Sequence, residues 1–238
     1  MPGRSDSVPA IPQDGGPEVP AVSQTLYALH AKRAVDLLLA WAALVCCLPM
    51  LLVLGTLISV DSPGGALYRQ TRAGVGGRRF EILKLRTMYT GADARGFRTA
   101  DGDYRVTRFG KFLRDTKLDE LPQLWNIIRN DMSMIGPRPL STEECEFLTA
   151  DHGFHPGHPG FYPLVSPGLT GLEQIYRIHP LSYEDRFRWN DLYESRLSLW
   201  LDLRIFATTI VQCRLVCMMT AIGGILELAT LLYLVLSR

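Results

Sequence analysis

From Leu37 to Ile58 the chain carries no charged residue and almost no polar one. A run of that length lets an α-helix cross the ~30 Å hydrocarbon layer of a membrane. A buried core helix of a soluble protein is the competing reading, and an uncharged run this long argues against it. Pro49 stands near the centre of the run. It lacks a backbone N–H and crowds the preceding turn, so the helix is expected to kink or break there. Lys32 and Arg33 precede the run, and Arg69, Arg72, Arg78, Arg79, Lys84 and Arg86 follow it. Basic flanks favour the cytoplasmic side. A straight span leaves one flank outside, whereas a helix-break-helix returns both to one face. The expectation is therefore a re-entrant membrane segment over residues 31–60, with a Pro-kinked straight span as the alternative.

The rest of the chain, 238 residues in all, is enough for one ordinary domain with appendages. Residues 1–30 are rich in Pro, Gly and Ser and read as a disordered leader without a cleavable signal peptide. Leu215 to Leu236 is a second apolar run whose single charge is Glu227, so residues 210–238 are expected to form a hydrophobic, membrane-associated helix. The formal net charge of +1 hides a segregation, because the block from Arg69 to Arg114 is strongly basic. Such a block suits an anionic partner, either phosphates or a membrane surface. The five cysteines are odd in number and lack CxxC spacing, which argues against a disulfide framework or a zinc site.

Between the two apolar runs, residues 61–209 mix short patterns. Phe80-Glu81-Ile82-Leu83 reads as a strand among basic residues. Gly74, Gly76 and Gly77 fall short of a dinucleotide fingerprint because Arg79 stands where glycine is needed, and Gly110-Lys111 lacks the rest of a P-loop. Asp119 to Arg129 (DELPQLWNIIR) reads as a short amphipathic helix with Leu121, Leu124, Trp125 and Ile128 on one face and Asp119 and Glu120 in its first turn. A rigid turn at Ile135-Gly136-Pro137-Arg138-Pro139 follows, then an acidic helix around Glu143, Glu144 and Glu146. A proline-rich loop leads to Pro167-Gly168-Leu169-Thr170-Gly171, and Asp185 to Thr209 is periodic enough for one long amphipathic helix. His152, His155 and His158 are interrupted by Pro156 and Pro159, which suits a loop better than a metal site.

Four blocks in order, KRAVDLLLA, YRQTRAGVGGRRFEILKLRTM, RVTRFGKFLRDTKLDELPQLWNIIRNDMSMIGPRP and PGLTG, resemble the bacterial sugar transferases of the monotopic phosphoglycosyl transferase superfamily. The resemblance runs from about Lys32 to Thr209. It implies that Asp119 and Glu120 form a catalytic dyad in which Asp119 attacks the β-phosphorus of a UDP-sugar. A covalent aspartyl phosphosugar would then pass its sugar phosphate to polyprenol phosphate. It further implies Mg²⁺ held by Asp119 and Glu120, and phosphate binding by Arg114 and Arg138. Lys84 and Arg86, in a KxRT pattern, are expected to contact substrate or support the dyad. The chemistry is self-consistent: a carboxylate is ionised at neutral pH and needs no base to become a nucleophile. A phosphate monoester acceptor, with a second pKa of about 6, is largely dianionic as well. Taken alone, an Asp-Glu pair is usually a solvated helix cap, and it is the surrounding blocks that lift it to a candidate dyad.

The fold class expected is a membrane-associated, α-rich α/β protein. It comprises the re-entrant segment, interfacial amphipathic helices, a small cytosolic catalytic domain with a minor β element, and the extra C-terminal apolar helix. The partners expected are a UDP-sugar, polyprenol (undecaprenyl) phosphate and membrane lipid; no nucleic acid is expected, and self-association is allowed. The location that follows is the bacterial inner membrane, with the catalytic part facing the cytoplasm. Where relatives commonly carry an alanine and then a Gly-Arg pair after PGLTG, this chain has Glu173 and Tyr176-Arg177. The helix break is Leu48-Pro49 rather than the more usual Ser-Pro. Rival readings are a polytopic transferase, which needs many spans, and a non-catalytic membrane scaffold, which would not need the Asp-Glu pair.

Overall fold

The computed structural model describes residues 25–92, 102–158, 160–176 and 182–212. The second apolar run, Leu215 to Leu236, Arg177 and most of the leader lie outside these residues. Order begins earlier than composition suggests. Tyr27–Ala31 forms a π-helical turn, and Thr25 donates its hydroxyl to the Leu197 carbonyl at 3.2 Å, so the leader ends before residue 30.

Helix α1 spans Lys32–Asp61 with Pro49 inside it. Helical backbone continues on both sides of Pro49, so the proline costs α1 one hydrogen bond without dividing it into two helices. Only 11% of its most apolar stretch is buried in the protein, so α1 is not the core helix of a soluble fold. By length and composition it can cross a membrane. Burial along it comes at the two ends, with Lys32, Asp36 and Ala40 at one and Leu54 and Ile58 at the other. Trp41, Val45, Leu48, Leu52 and Val53 face outward between them.

Both ends of α1 are held by the same body. At the start, Ser133 donates to Asp36 at 2.6 Å, and Asp202 accepts from Lys32 at 2.7 Å and from Tyr27 at 2.8 Å. At the finish, the Arg86 guanidinium donates to the carbonyls of Ser62 (2.7 Å), Pro63 (2.8 Å) and Ile58 (3.4 Å). These satisfy carbonyls that a helix end leaves without partners.

Among the described residues the body is helix-rich with two small sheets. Strands β1 (Leu67–Ala73) and β2 (Arg79–Leu85) form an antiparallel hairpin in which Tyr68 faces Lys84, Gln70 faces Ile82 and Arg72 faces Phe80. Helix α2 (Arg108–Thr116) is capped by Thr107, whose hydroxyl accepts from the Gly110 amide at 2.8 Å. Gly110 is glycine because a Cβ there would run into the Thr87 backbone. A single 3-10 turn, Leu118–Glu120, leads to α3 (Gln123–Ile128). β3 (Ser133–Ile135) pairs in parallel with β4 (Gly168–Thr170). Gly136 and Gly168 let their two backbones pass where side chains would collide, which explains the glycines of the GPRP and PGLTG motifs. Between them lies α4 (Thr142–Asp151), opened by a full capping box from Ser141 and Glu144. The fold closes with α5 (Leu172–Tyr176), α6 (Tyr183–Arg196) and α7 (Leu199–Gln212).

Two helix expectations need correction. The long helix from Asp185 to Thr209 is two helices, because Leu197 leaves helical geometry and the Ser198 hydroxyl accepts from the Leu201 amide at 3.3 Å, starting α7 afresh. The helix expected from Asp119 begins only at Gln123, after the 3-10 turn. Of the residues expected on its apolar face, Leu121, Leu124 and Ile128 pack on the core, while Trp125 is 44% exposed. The main core gathers Leu124, Ile127, Met132, Ile135, Trp189 and Ile205, and a second cluster packs Leu54 and Ile58 of α1 on Leu85, Leu113 and Leu118. His152 and His158 belong to aromatic packing, against Phe147 and Phe154 respectively.

Candidate active site

Asp119 owes its position to backbone conformation. Lys117, just before the 3-10 turn, has φ of 63°. That left-handed geometry is uncommon for a residue with a side chain, and it ends α2 while redirecting the chain inward. Asp119 is consequently only 7% exposed, and its Oδ1 is buried without a hydrogen-bond partner. Burial and the neighbouring Glu120 carboxylate push the Asp119 carboxyl up to about 6, against the pull of Lys84, Lys117 and Arg114.

Glu120 points the other way electrostatically. Burial would raise it, but Lys84, whose Nζ donates to Oε1 at 2.9 Å, and Arg138 overcome that effect and hold the carboxyl at about 2. Burial lowers the Lys84 ammonium and Glu120 opposes the shift. The two adjacent carboxyls are thus pushed apart, a pattern typical of groups with different tasks in one site.

Lys84 is delivered by the hairpin. Asn126 on α3, fully buried, accepts from the Leu83 amide at 2.9 Å and donates to the Glu81 carbonyl at 2.6 Å. Its amide pairs with β2 as a neighbouring strand would, and so fixes the strand that carries Lys84 beside the helix that follows Glu120. Arg114 donates from Nε to the Thr87 hydroxyl at 2.8 Å; burial lowers it and Asp119 opposes the shift. Arg138 lines a narrow cleft with Arg72, Lys84, Glu120, Gln123 and Gln174. In that cleft Arg72 is bound to the Pro139 carbonyl at 2.7 Å and to Gln70, and burial and Arg138 bring it down to about 10.

The structure therefore brings together Asp119, Glu120, Lys84, Arg114 and Arg138. Arg86 is placed elsewhere: its guanidinium is occupied by the carbonyls that end α1 and by the Thr90 hydroxyl at 3.1 Å. Pro49 lies in α1, outside the cleft. Sequence reasoning left out Arg72, Gln123 and Gln174 as site residues. The strand period could have found Arg72, because it shares a face of the hairpin with Lys84. Nothing in the sequence distinguishes the two glutamines from solvated ones.

Among the described residues no three His, Cys, Asp or Glu side chains gather as a metal cage. Asp119 Oδ1, a hard oxygen without a donor, fits a hard cation nonetheless, and Mg²⁺ is commonly held by one or two carboxylates with substrate phosphates and waters completing its shell.

Residues 27–215 match the family model for bacterial sugar transferases. The chain belongs to that family. It is 40% identical over 202 residues to the UDP-glucose:undecaprenyl-phosphate glucose-1-phosphate transferase of Caulobacter vibrioides, covering 82% of this chain and 72% of that one. The exopolysaccharide production protein ExoY of Rhizobium meliloti is 37% identical over 196 residues, covering 76% of this chain and 84% of the relative. The UDP-galactose-lipid carrier transferase of Erwinia amylovora is 36% identical over 195 residues. That match covers 75% of this chain but only 39% of the relative, so this sugar transferase corresponds to less than half of some relatives.

Proposed function

We propose that the protein transfers a sugar 1-phosphate from a UDP-sugar to undecaprenyl phosphate, starting assembly of an exopolysaccharide or related glycan. The observation that carries this reading is Asp119: a buried carboxylate with an unbonded oxygen, faced by the cations of Lys84, Lys117 and Arg114. Relatives named for this reaction with UDP-glucose support the donor and acceptor classes.

The steps balance without an added base. Asp119 Oδ attacks the β-phosphorus, the bond from that phosphorus to the oxygen bridging to the α-phosphate breaks, and UMP leaves with the electron pair. An oxygen of undecaprenyl phosphate then attacks the same phosphorus and returns Asp119 to a carboxylate. Arg138 and Arg114 would meet the diphosphate charge that otherwise repels Asp119, while Lys84 keeps Glu120 ionised and fixed. Asp119 and Glu120 would hold Mg²⁺, which when bound supplies positive charge to the phosphoryl oxygens.

The membrane part of the reading is re-entry of α1 from the cytoplasmic face of the inner membrane. It is supported by the polar body that grips both ends of the helix, through Asp202 and Ser133 at one and Arg86 at the other. A straight crossing would place those grips on opposite sides of the bilayer. Outward Phe112, Trp125 and Trp200 suit an interfacial seat for the body.

The test is release of UMP from UDP-glucose, UDP-galactose or UDP-N-acetylgalactosamine by purified protein with undecaprenyl phosphate. Without acceptor, labelled sugar phosphate should stay on the wild-type chain. No UMP from any donor rejects the reaction, and a non-catalytic scaffold becomes the surviving reading. For topology, cysteines replacing the exposed His30 and Gly65 in a cysteine-free background should both resist an impermeant thiol reagent on intact cells. Labelling of one alone rejects re-entry.

A further inference from the structure

Just after β2 the chain crosses the start of α2. The Thr87 carbonyl accepts from the Thr107 amide at 3.0 Å, Met88 pairs with Val106 as an antiparallel bridge, and the Tyr89 amide donates to the Arg105 carbonyl at 3.0 Å. The crossing is close because Gly110 has no side chain to meet the Thr87 backbone. Arg114 stands four residues further along α2, on the same face as Gly110. Thr87 therefore reaches both. Its backbone lies over Gly110, and its hydroxyl accepts from Arg114 Nε at 2.8 Å in a residue only 7% exposed.

Three arginines of this region are used in different ways. Arg72 donates from Nε and from both terminal nitrogens to Gln70 and to the Pro139 carbonyl. Arg86 donates from its two terminal nitrogens and keeps Nε buried without a partner. In Arg114 the pattern is the reverse of that in Arg86. Among the described residues, Nε is the one guanidinium nitrogen of Arg114 with a hydrogen-bond partner. A guanidinium is a rigid planar fork, so a bond at Nε fixes its plane while leaving the four N–H groups of the terminal nitrogens to another acceptor. The charge lies near the nucleophile, since Asp119 opposes the lowering of Arg114 by burial.

We propose that the Thr87 hydroxyl sets the plane of the Arg114 guanidinium, and so presents its two terminal nitrogens as a fork to the diphosphate of the donor. The proposal deepens the transferase reading and rests on it. Thr87 is then a positioning residue that acts through Arg114. Threonine suits the task because its carbonyl is held by the first turn of α2 while its hydroxyl holds a side chain one turn further along. A fork held ready for bidentate bonding loses less freedom when phosphate arrives than an arginine that must first be ordered.

The test is a double-mutant cycle of Thr87→Val with Arg114→Ala in full-length protein in nanodiscs. It is read by initial rates of UMP release and, independently of turnover, by calorimetry with UDP. Thr87→Val keeps the shape and removes the acceptor, so it should lower kcat/KM roughly tenfold or more and weaken UDP at least about threefold. Thr87→Ser, which keeps the hydroxyl, should return both to within about twofold of wild type. With Arg114→Ala already present, Thr87→Val should change neither by more than about twofold, because the group it acts through is gone. A merely structural threonine would give the same loss in both backgrounds, and that outcome overturns the proposal. Wild-type rate and UDP affinity in Thr87→Val, or no recovery in Thr87→Ser, overturn it as well. Should Thr87→Val fail to fold, Thr87→Ala takes its place in the same cycle. UDP binding that follows the cycle without UMP release from any donor rejects the reaction and retains the Thr87–Arg114 assignment. Failure of wild-type protein to bind UDP rejects both.

Discussion

Asp202 and Asp119 are both buried carboxylates, 3% and 7% exposed, with lysine charge close by, yet their oxygens are treated differently. Asp202 accepts from Lys32 and Tyr27 on Oδ2 and from Tyr193 on Oδ1, at 2.7–2.8 Å. Nearby Asp36 is likewise bonded on both oxygens, by Ser133 and by the Met134 amide at 3.2 Å. Around Asp119, by contrast, Asp119 Oδ1, Gln123 Nε2 and Gln174 Oε1 are all buried and unmatched. A polar cluster whose atoms are all bonded specifies structure, here the seat of α1 on the body. One that leaves acceptors and donors unmatched within the protein is open to a ligand or to water.

The sharpest way to break that comparison is to neutralise each carboxylate in turn. Asp119→Asn keeps the shape and removes the nucleophile, so turnover should fall on the order of 10⁴-fold or more, with membrane insertion retained. Asp202→Asn strips Lys32 of its nearer carboxylate in a buried site, leaving Asp36 at 3.9 Å, and should cost about 3 kcal/mol of stability. Its kcat per folded molecule should stay within a few-fold of wild type. An Asp202→Asn protein as stable as wild type but equally dead would show that the two clusters do not divide the work in this way.

Lysines sharpen it next. Lys84→Met leaves Glu120 buried with only Arg138 and Lys117 to offset its charge and should lower kcat roughly 10²-fold. It should also raise the Asp119 carboxyl, which Lys84 pulls down, and with it the acid limb of the pH–rate profile. Lys32→Met should instead lower the melting temperature and leave the profile where it was. A profile unmoved in Lys84→Met would remove Lys84 from the dyad.

How much of this was legible in sequence depends on whether a motif marks the residue's partner. Asp119, Glu120 and Lys84 stand in dense motifs, and the structure sets the Lys84 ammonium against Glu120 although 36 residues separate them. Arg86 sits two residues from Lys84 in the same strand region, and motif reasoning grouped the two. Its place is decided by carbonyls at Ile58, Ser62 and Pro63, more than twenty residues upstream, which no local pattern reveals. Trp125 is exposed although Leu121, Leu124 and Ile128, expected on the same face, pack on the core. The break between α6 and α7 contains neither Gly nor Pro, and Ser198 alone hardly announces a new helix. At Pro49 the local rule expects a kink or a break, and the helical backbone runs on through the proline.

Proton titration offers a finer cut. With the Asp119 carboxyl at about 6, kcat/KM should be level above neutrality and fall about tenfold per pH unit below about 6 as the nucleophile takes up a proton. Glu120, at about 2, should contribute nothing to the profile in the working range. A single acid limb near 4, as for a solvated aspartate, would mean that the burial of Asp119 does not govern the chemistry.

The smallest effect is the most diagnostic of the comparison, since it has opposite signs at the two carboxylates. Asp119 has a folded-state carboxyl raised from 3.8 to about 6, so folding favours its protonated form and penalises its charge. That penalty is absent below pH 4, grows as pH rises from 4 to 6, and is complete above about 6. At full size it is at most about 3 kcal/mol, from the free-energy equivalent of the shift. Asp119→Asn removes the charge but keeps an unmatched oxygen, so only part of this is recovered, and the variant should melt a few degrees higher than wild type at pH 8. The difference should vanish as pH is lowered from 6 to 4, where wild-type Asp119 is protonated as well. Asp202→Asn, whose charge is bonded rather than stranded, should melt lower than wild type at pH 8. Differential scanning fluorimetry of the three proteins in one detergent across that range reads both signs. A lower melting temperature for Asp119→Asn at pH 8 would show that the dyad carboxylate is compensated within the protein, and that its unmatched oxygen is not held in readiness for a phosphorus.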